Sequence, residues 1–400
     1  MLQEINRKKR PIILIAGCSL LNFSLGSFYA WSVFLEPLQQ TLAVSRSEVS
    51  AVFSFATICF TLGVLFGAPV YRRVRAAAVA SGALLVGALG IAVAAGSMSL
   101  PVVIVGYGII YGIANGVGYN LTLQLINTEL QHNTGVATGF VTACYAVGSV
   151  VSAPILVYAI EALGVWNTFY ALALFLLFAA VIVGMLLVLA GTTMACPPVA
   201  VYQDAAPVNN KIFVVLWFGF GLGAMAGLMV IGHAAGIISA YGGAPAQIAL
   251  GTMFVNIGNV TGRLSGGWLS QHFPARRVLT VVMASAATVL LALAFFPIVW
   301  VALVAMLLIG FAYGANACTY PLSVSVYFGR EQLAKVFGML MTAWGIAGLT
   351  APWIAGVIYD GTGQYRYAIL VAAAAALAGS IISLVLPEKR LSEPAISKGA

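Results

Sequence analysis

The sequence predicts an all-α membrane protein: twelve transmembrane helices in two pseudo-symmetric bundles of six. Three observations carry this expectation. Apolar residues make up 62% of the chain and charged residues only 7%, a balance far from that of soluble domains. The apolar residues gather into twelve runs of about 20 residues, each enough to cross roughly 30 Å of hydrocarbon. The second half also repeats features of the first at an offset near 200 residues.

In chain order the runs fall near 11–38, 47–70, 76–97, 100–126, 135–159 and 165–190, then near 211–239, 246–269, 278–297, 299–327, 334–358 and 367–386. The expected organisation is a six-helix bundle over 1–190, a cytoplasmic linker over 191–210 and a second bundle over 211–400. The linker, GTTMACPPVAVYQDAAPVNN, is marked by its Pro, Gly and polar content. Twelve spans leave no room for a soluble catalytic domain.

Cationic residues predict the orientation. Of 18 Lys and Arg, fifteen fall near the N-terminus, the C-terminus or the loops on that face, including Arg10, Arg72, Arg73, Arg276, Arg277 and Lys389. Arg46 and Arg366 lie on the opposite face, and Arg263 lies inside a span. The positive-inside rule then puts both termini in the cytoplasm of a multi-pass protein of the inner (plasma) membrane. The net charge of +8 is a topology signal and does not indicate nucleic acid. The five cysteines, Cys18, Cys59, Cys144, Cys196 and Cys318, are scattered without metal-like pairing.

The repeat is visible residue by residue. Asn115, Tyr119 and Leu121 recur as Asn316, Tyr320 and Leu322 at an offset of 201; GVLFGAPV (63–70) recurs as GRLSGGWL (262–269) at an offset of 199. TACYAVGSVVSAP (142–154) parallels TAWGIAGLTAP (342–352). Parallel repeats of this kind place a ligand near the midplane between the halves. Small residues such as Gly108, Gly112 and Gly116 allow close helix approach.

Arg263 is the anomaly. A guanidinium stays charged at any relevant pH, and at membrane depth it costs from about 3 to over 10 kcal/mol. With about 1.5 Å of rise per residue, it starts roughly 12 Å from the polar exit near Gln271. No Asp or Glu falls at a span centre. Either a buried acid or an anion in a water-filled cavity must offset the charge, and the sequence favours the anion. In the repeat, Val64 stands at the equivalent position, so the scaffold does not require an arginine there.

Asn256, Asn259 and Arg263 share one helical face at i, i+3 and i+7, and together offer a fork of donors suited to a carboxylate. Tyr313, Asn316, Tyr320 and Tyr327 form a stripe on span 10, and Tyr111, Asn115 and Tyr119 form one on span 4. Either stripe reads as a cavity lining or as interhelical hydrogen bonding. His233, in the middle of span 7, is either a packed neutral imidazole or a cavity donor and proton site. Glu36, Glu129, Glu161 and Asp360 sit near span ends as solvated or capping groups. No phosphate loop, zinc motif, nucleophile elbow or CxxC is present, so no enzyme activity, cofactor or metal is expected.

With LGSFYAWSVFLEPL (25–38), YGIANGVGY (111–119), the span 8 arginine followed by GG-W-L-S, and YPLSVSVYFGREQLAKVFGMLMTAWGIAG (320–348) in view, the chain resembles the monocarboxylate transporter and oxalate:formate antiporter group of the major facilitator superfamily. The resemblance covers all twelve spans. It implies the major facilitator fold and alternating access to a site for a small carboxylate.

Three departures from the group refine this. The oxalate antiporters carry a lysine on span 11, where this chain has Trp344; a single intramembrane cation favours a monoanion. Animal monocarboxylate carriers place an Asp one turn before the arginine, where this chain has Asn259; if protons move with substrate, either the carrier lies elsewhere or the anion and proton combine differently. The superfamily's loop motif G-x-L-x-D-R-x-G-R-R is degraded, with Tyr71 and Gln271 where the acid is expected, which predicts a weaker latch between the halves.

The resulting expectation is a proton-coupled symporter of small monocarboxylates of the lactate or pyruvate type, working as a monomer in lipid. Arg263 would pair the carboxylate, Asn256 and Asn259 would orient it, and Tyr119, Asn115, Tyr320, Asn316, His233 and Trp344 would line the rest. The alternatives are a carboxylate anion exchanger and a transport-inactive carboxylate sensor.

Overall fold

Long apolar helices account for nearly all of the chain, whose architecture comes from a computed structural model describing residues 2–96, 98–130, 134–192, 210–329 and 332–389. Most of the expected linker, and with it Cys196, lies outside the described residues. Span 1 comprises Leu2–Leu25, Gly26–Phe34 and Leu35–Leu42; spans 2 and 3 are Arg46–Phe66 and Ala76–Gly96. Span 4 runs from Leu100 to Glu129. Spans 5 and 6 form one stretch, Thr134–Leu189, broken at Gly164, whose φ of 79° is open to glycine and strained for other residues.

The second half contains spans 7 to 12: Asn210–Ala240, Pro245–His272, Ala275–Phe295, Val299–Phe328, Leu333–Thr362 and Arg366–Ser383. Ten described helices are long and apolar enough to cross a membrane. Dividing the Thr134–Leu189 stretch at Gly164 adds one span. Span 8, whose apolar character is interrupted by Asn256, Asn259 and Arg263, completes the twelve.

Two spans depart from plain α-helix, each for a visible reason. Gly26–Phe34 is a 3₁₀-helix, in which residues three apart eclipse. Tyr29 and Ser32 therefore share a row, and that row faces the other half: Tyr29 meets Tyr313 and Ser32 meets Thr252. Phe28, Trp31 and Phe34 form another row, turned into their own half against Tyr107 and Phe169. Ile104–Tyr111 is wound as a π-helix and carries the Tyr107 and Tyr111 rings that receive this row.

Glycine sets the closest approaches. A Cβ at Gly262 would meet the Phe311 carbonyl oxygen, and one at Gly314 would meet the Asn259 carbonyl oxygen. Spans 8 and 10 therefore touch backbone to backbone, as small residues permit in a membrane. Gly63 and Gly116 do the same for spans 2 and 4, the equivalent pair in the repeat. The two halves meet along span 2 against span 11 and span 5 against span 8.

The position of the missing motif acid has its own use. Tyr71 is fully buried and donates to the Val117 carbonyl at 2.7 Å, while Asn120 donates to the Val64 carbonyl at 3.0 Å. The phenol ties the end of span 2 to span 4 within one half.

Candidate functional site

Arg263 projects from span 8 into the plane between the halves. Its Nε donates to Asn259 Oδ1 at 2.9 Å, and its Nη1 reaches the Tyr119 hydroxyl of the first half at 3.5 Å. Among the described residues no carboxylate pairs with it; the ion pairs found there are Arg10 with Glu129 and Arg277 with Glu388. The guanidinium thus keeps free donors and an uncompensated charge, and it remains partly accessible.

Around it six aromatic rings close a belt. Tyr119 packs edge-on against Tyr145 at 5.3 Å between centroids, and Tyr145 against Tyr29 at 5.3 Å. The Tyr29 hydroxyl lies 3.1 Å from that of Tyr313, which accepts the Trp344 indole N–H at 2.8 Å. Phe60 closes the belt, 5.3 Å from Trp344 and 5.5 Å from Tyr119. Phe60, Tyr119, Tyr145 and Tyr29 come from the first half, Tyr313 and Trp344 from the second.

The indole N–H can only donate, so the Tyr313 oxygen accepts from Trp344, while either hydroxyl can be the donor between Tyr313 and Tyr29. A cation, phenol hydroxyls and apolar ring faces together suit a small anion with an apolar body.

The sequence-predicted residues divide. Arg263, Asn259, Tyr119 and Trp344 come together in this site. Asn256 is buried one turn away, bonded to its own helix at the Thr252 carbonyl (2.9 Å), with its Oδ1 unpartnered. Asn115 lies behind the belt: it donates to the Leu25 carbonyl and accepts from Tyr145, each at 2.9 Å, and so orients the Tyr145 ring without facing Arg263.

Three of the expected residues lie away from Arg263. Asn316 and Tyr320 point into the interior of the second half, Asn316 beside Gly223 and Tyr320 against Phe220. Tyr313, on the same stripe, also packs against span 7 at Gly227, but its hydroxyl reaches Tyr29 of the other half. His233 is fully buried at the face opposite the termini, bonded to Tyr365 and Pro352, and does not touch Arg263.

Tyr29, Tyr145 and Phe60 were not singled out from the sequence, yet they form half of the belt. Tyr29 stands in the span 1 stretch LGSFYAWSVF, and Tyr145 is one position from the residue equivalent to Trp344 in the repeat, so both carried a signal. Phe60 carried none, being one apolar residue in an apolar helix. Among the described residues no cluster of three His, Cys, Asp or Glu is placed to hold a metal ion.

Two interlocking six-helix bundles with an uncompensated cation at their interface define a multi-pass membrane transporter. The chain belongs to the Major Facilitator Superfamily, whose family model matches residues 13–349 and 216–400. It is 27% identical over 362 residues to the uncharacterized MFS-type transporter YhjX of Escherichia coli (strain K12), covering 86% of this chain and 87% of that one. It is 22% identical over 402 residues to the oxalate:formate antiporter of Oxalobacter formigenes, covering 96% and 93%. A shorter stretch of 142 residues is 31% identical to mouse (Mus musculus) monocarboxylate transporter 11, 33% of this chain and 31% of that protein. The fold is that of the D-xylose-proton symporter, with a TM-score of 0.70 at 16% identity, covering 94% of this chain and 98% of that one.

Proposed function

We propose that the chain is a secondary active transporter of small monocarboxylates of the lactate or pyruvate type, moving them by alternating access across the inner membrane with both termini in the cytoplasm. One observation carries this reading: Arg263 is the only cation in the aromatic belt among the described residues, and no protein carboxylate neutralises it. An unpaired charge at membrane depth is expensive, and a substrate carboxylate offsets it. Asn259 holds Nε, which leaves the terminal nitrogens for the anion. Trp344 contributes an apolar wall and no second charge, which favours a monoanion.

Relatives whose names include an oxalate:formate antiporter and a monocarboxylate transporter support the carboxylate class. Coupling to protons is part of the proposal. The second reading is anion exchange, favoured by Asn259 standing beside Arg263 where a titratable acid would serve a symporter.

The test uses purified protein in liposomes. Wild-type vesicles take up lactate or pyruvate and acidify internally as they do so, whereas exchange requires an internal counter-anion. Arg263→Ala and Arg263→Lys lose uptake and also lose carboxylate-dependent thermal stabilisation, which for a true ligand at 100 times its Kd is about 2.7 kcal/mol. Undiminished carboxylate uptake by Arg263→Ala rejects the reading.

A further inference from the structure

The face opposite the termini is sealed by a polar network that joins the halves and centres on a buried histidine. On one side stand Glu36 of span 1 and Arg46 and Ser50 of span 2. On the other stand His233 and Ser239 of span 7, Asp360 of span 11 and Tyr365 at the start of span 12. Arg46 and His233 are both buried, and Gly232 and Gly236 let the neighbouring groups in: a Cβ at Gly236 would lie 2.5 Å from the Tyr365 hydroxyl and 2.7 Å from Arg46 Nη1.

The hydrogen positions follow from the partners. His233 Nε2 is 2.8 Å from the Pro352 carbonyl oxygen, which only accepts, so Nε2 carries a proton. Arg46 Nη1 donates to the Tyr365 hydroxyl at 3.0 Å, since a guanidinium only donates. Tyr365 therefore directs its hydrogen at His233 Nδ1, 3.1 Å away. Ser50 lies 3.3 Å from Nε2 and spends its own hydrogen on the Arg46 carbonyl at 2.6 Å. With a neutral imidazole, Nδ1 accepts from Tyr365 and donation runs in one direction, from Arg46 through Tyr365 and His233 to Pro352.

A second proton on Nδ1 breaks this chain. Nδ1–H and Arg46 would then both point at the Tyr365 oxygen, the phenol hydrogen would lose its acceptor, and two cations would share one atom. The nearby acids are committed elsewhere. Asp360 accepts from the Arg46 and Ser47 backbone amides at 2.8 Å each, Glu36 from Ser239 at 2.8 Å, and Glu48 from the Ser45 amide at 2.8 Å. The remaining titratable neighbour, Tyr359, stacks under the Arg46 guanidinium at 4.8 Å. When the halves part, Arg46 leaves with span 2 and water reaches the imidazole, so both obstacles to the second proton disappear.

We propose that His233 is a proton-binding site that couples opening of this face to acid outside it: the closed gate holds the imidazole neutral and the parted gate takes a proton from water at that face. By linkage, whatever binds one state better shifts the population toward it. The sign is fixed. The closed latch is complete while His233 is neutral and is lost as pH falls through its titration. The proposal rests on the transport reading above, to which it adds the group that senses protons, placed away from the anion site.

The test places spin labels on opposite halves at exposed far-face positions, Thr41→Cys and Gln364→Cys, with the native cysteines replaced, in lipid nanodiscs free of carboxylate. Distances are measured by pulsed dipolar spectroscopy from pH 8 to pH 5. The parent protein shifts from a short to a longer distance as pH falls. His233→Gln, which preserves a donor for Pro352 and an acceptor for Tyr365 but takes no proton, holds the short distance throughout; His233→Asn serves the same purpose should the glutamine variant not fold. A parent population that ignores pH, or an opening that persists in both variants, overturns the proposal. Thermal stabilisation by pyruvate, measured on the same samples, separates the two readings. If it is retained while the gate ignores pH, only the gate proposal fails; if it is absent from the parent, the carboxylate reading fails whatever the gate does.

Discussion

Trp344 donates its indole N–H to the Tyr313 hydroxyl at 2.8 Å, which fixes an uncharged ring in the belt around Arg263. The position that carries a lysine in the oxalate antiporters resembled by this sequence is here a ring that lends no charge and orients a row of phenols. Tyr313 in turn shares a hydrogen bond with Tyr29 across the seam between the halves, so the belt and the interbundle contact share the same side chains.

Replacing the ring by a charge should change the preferred ligand. Trp344→Lys adds a second cation to the belt, and oxalate or another dianion should then stabilise the protein more than lactate does, reversing the wild-type order. Thermal shift across lactate, pyruvate, formate, oxalate and malate reads this directly. An unchanged order in a folded variant would show that Trp344 does not set the charge preference.

Asn259→Asp should disarm the anion site from within. The new carboxylate stands where Asn259 Oδ1 lies, 2.9 Å from Arg263 Nε, and forms an internal ion pair that competes with the substrate. Carboxylate affinity is expected to fall about tenfold or more, on the order of 1.4 kcal/mol, wherever the aspartate is ionised. It should recover as acid protonates that aspartate. Isothermal titration at a series of pH values checks both the loss and its sign.

The contact between spans 8 and 10 leaves no room for side chains. Gly262→Val would drive two methyl groups into the Phe311 carbonyl, and overpacking of this kind costs about 1–3 kcal/mol. A lowered melting temperature is expected even without ligand, together with a displaced Arg263 and weakened carboxylate binding. Gly338→Ala, where nothing lies within 4 Å of the added carbon, should leave both unchanged.

At the opposite face, Asp360 caps the first turn of span 2 from the other half by accepting the Arg46 and Ser47 amides. An acceptor of this kind at a helix start is worth about 0.5–2 kcal/mol, and here the cap also joins the two halves. Asp360→Ala should therefore shift the gate toward its open form about two- to thirtyfold, on the scale of 1.4 kcal/mol per factor of ten. Solvent labelling of a cysteine placed at Ser50 would report the change as faster modification.

Much of this was legible in the order of residues. Hydrocarbon thickness makes long apolar runs into spans, so twelve spans could be counted directly, including spans 5 and 6, which form one stretch broken at the positive-φ Gly164. Duplication made the two halves visible as a repeat. Arg263 announced itself because a permanent charge in lipid has no cheap alternative explanation, and Asn259 followed from helical spacing along the same face.

What the sequence left open is which face of each aromatic stripe looks inward. Tyr119 and Tyr320 are equivalent in the repeat, yet one reaches Arg263 and the other is packed against Phe220. His233 read either as a packed neutral imidazole or as a cavity donor and proton site, and only the tertiary structure placed Tyr365, Pro352 and Arg46 around it from three other helices. Local rules of length, period and polarity determine that a residue lies in the membrane and which residues share a helical face. Only the tertiary structure decides whether that face meets lipid, the bundle core or the partner half. That choice depends on helix rotation set by close contacts such as Gly262 on Phe311 and Gly236 beneath Tyr365, between residues far apart in the chain.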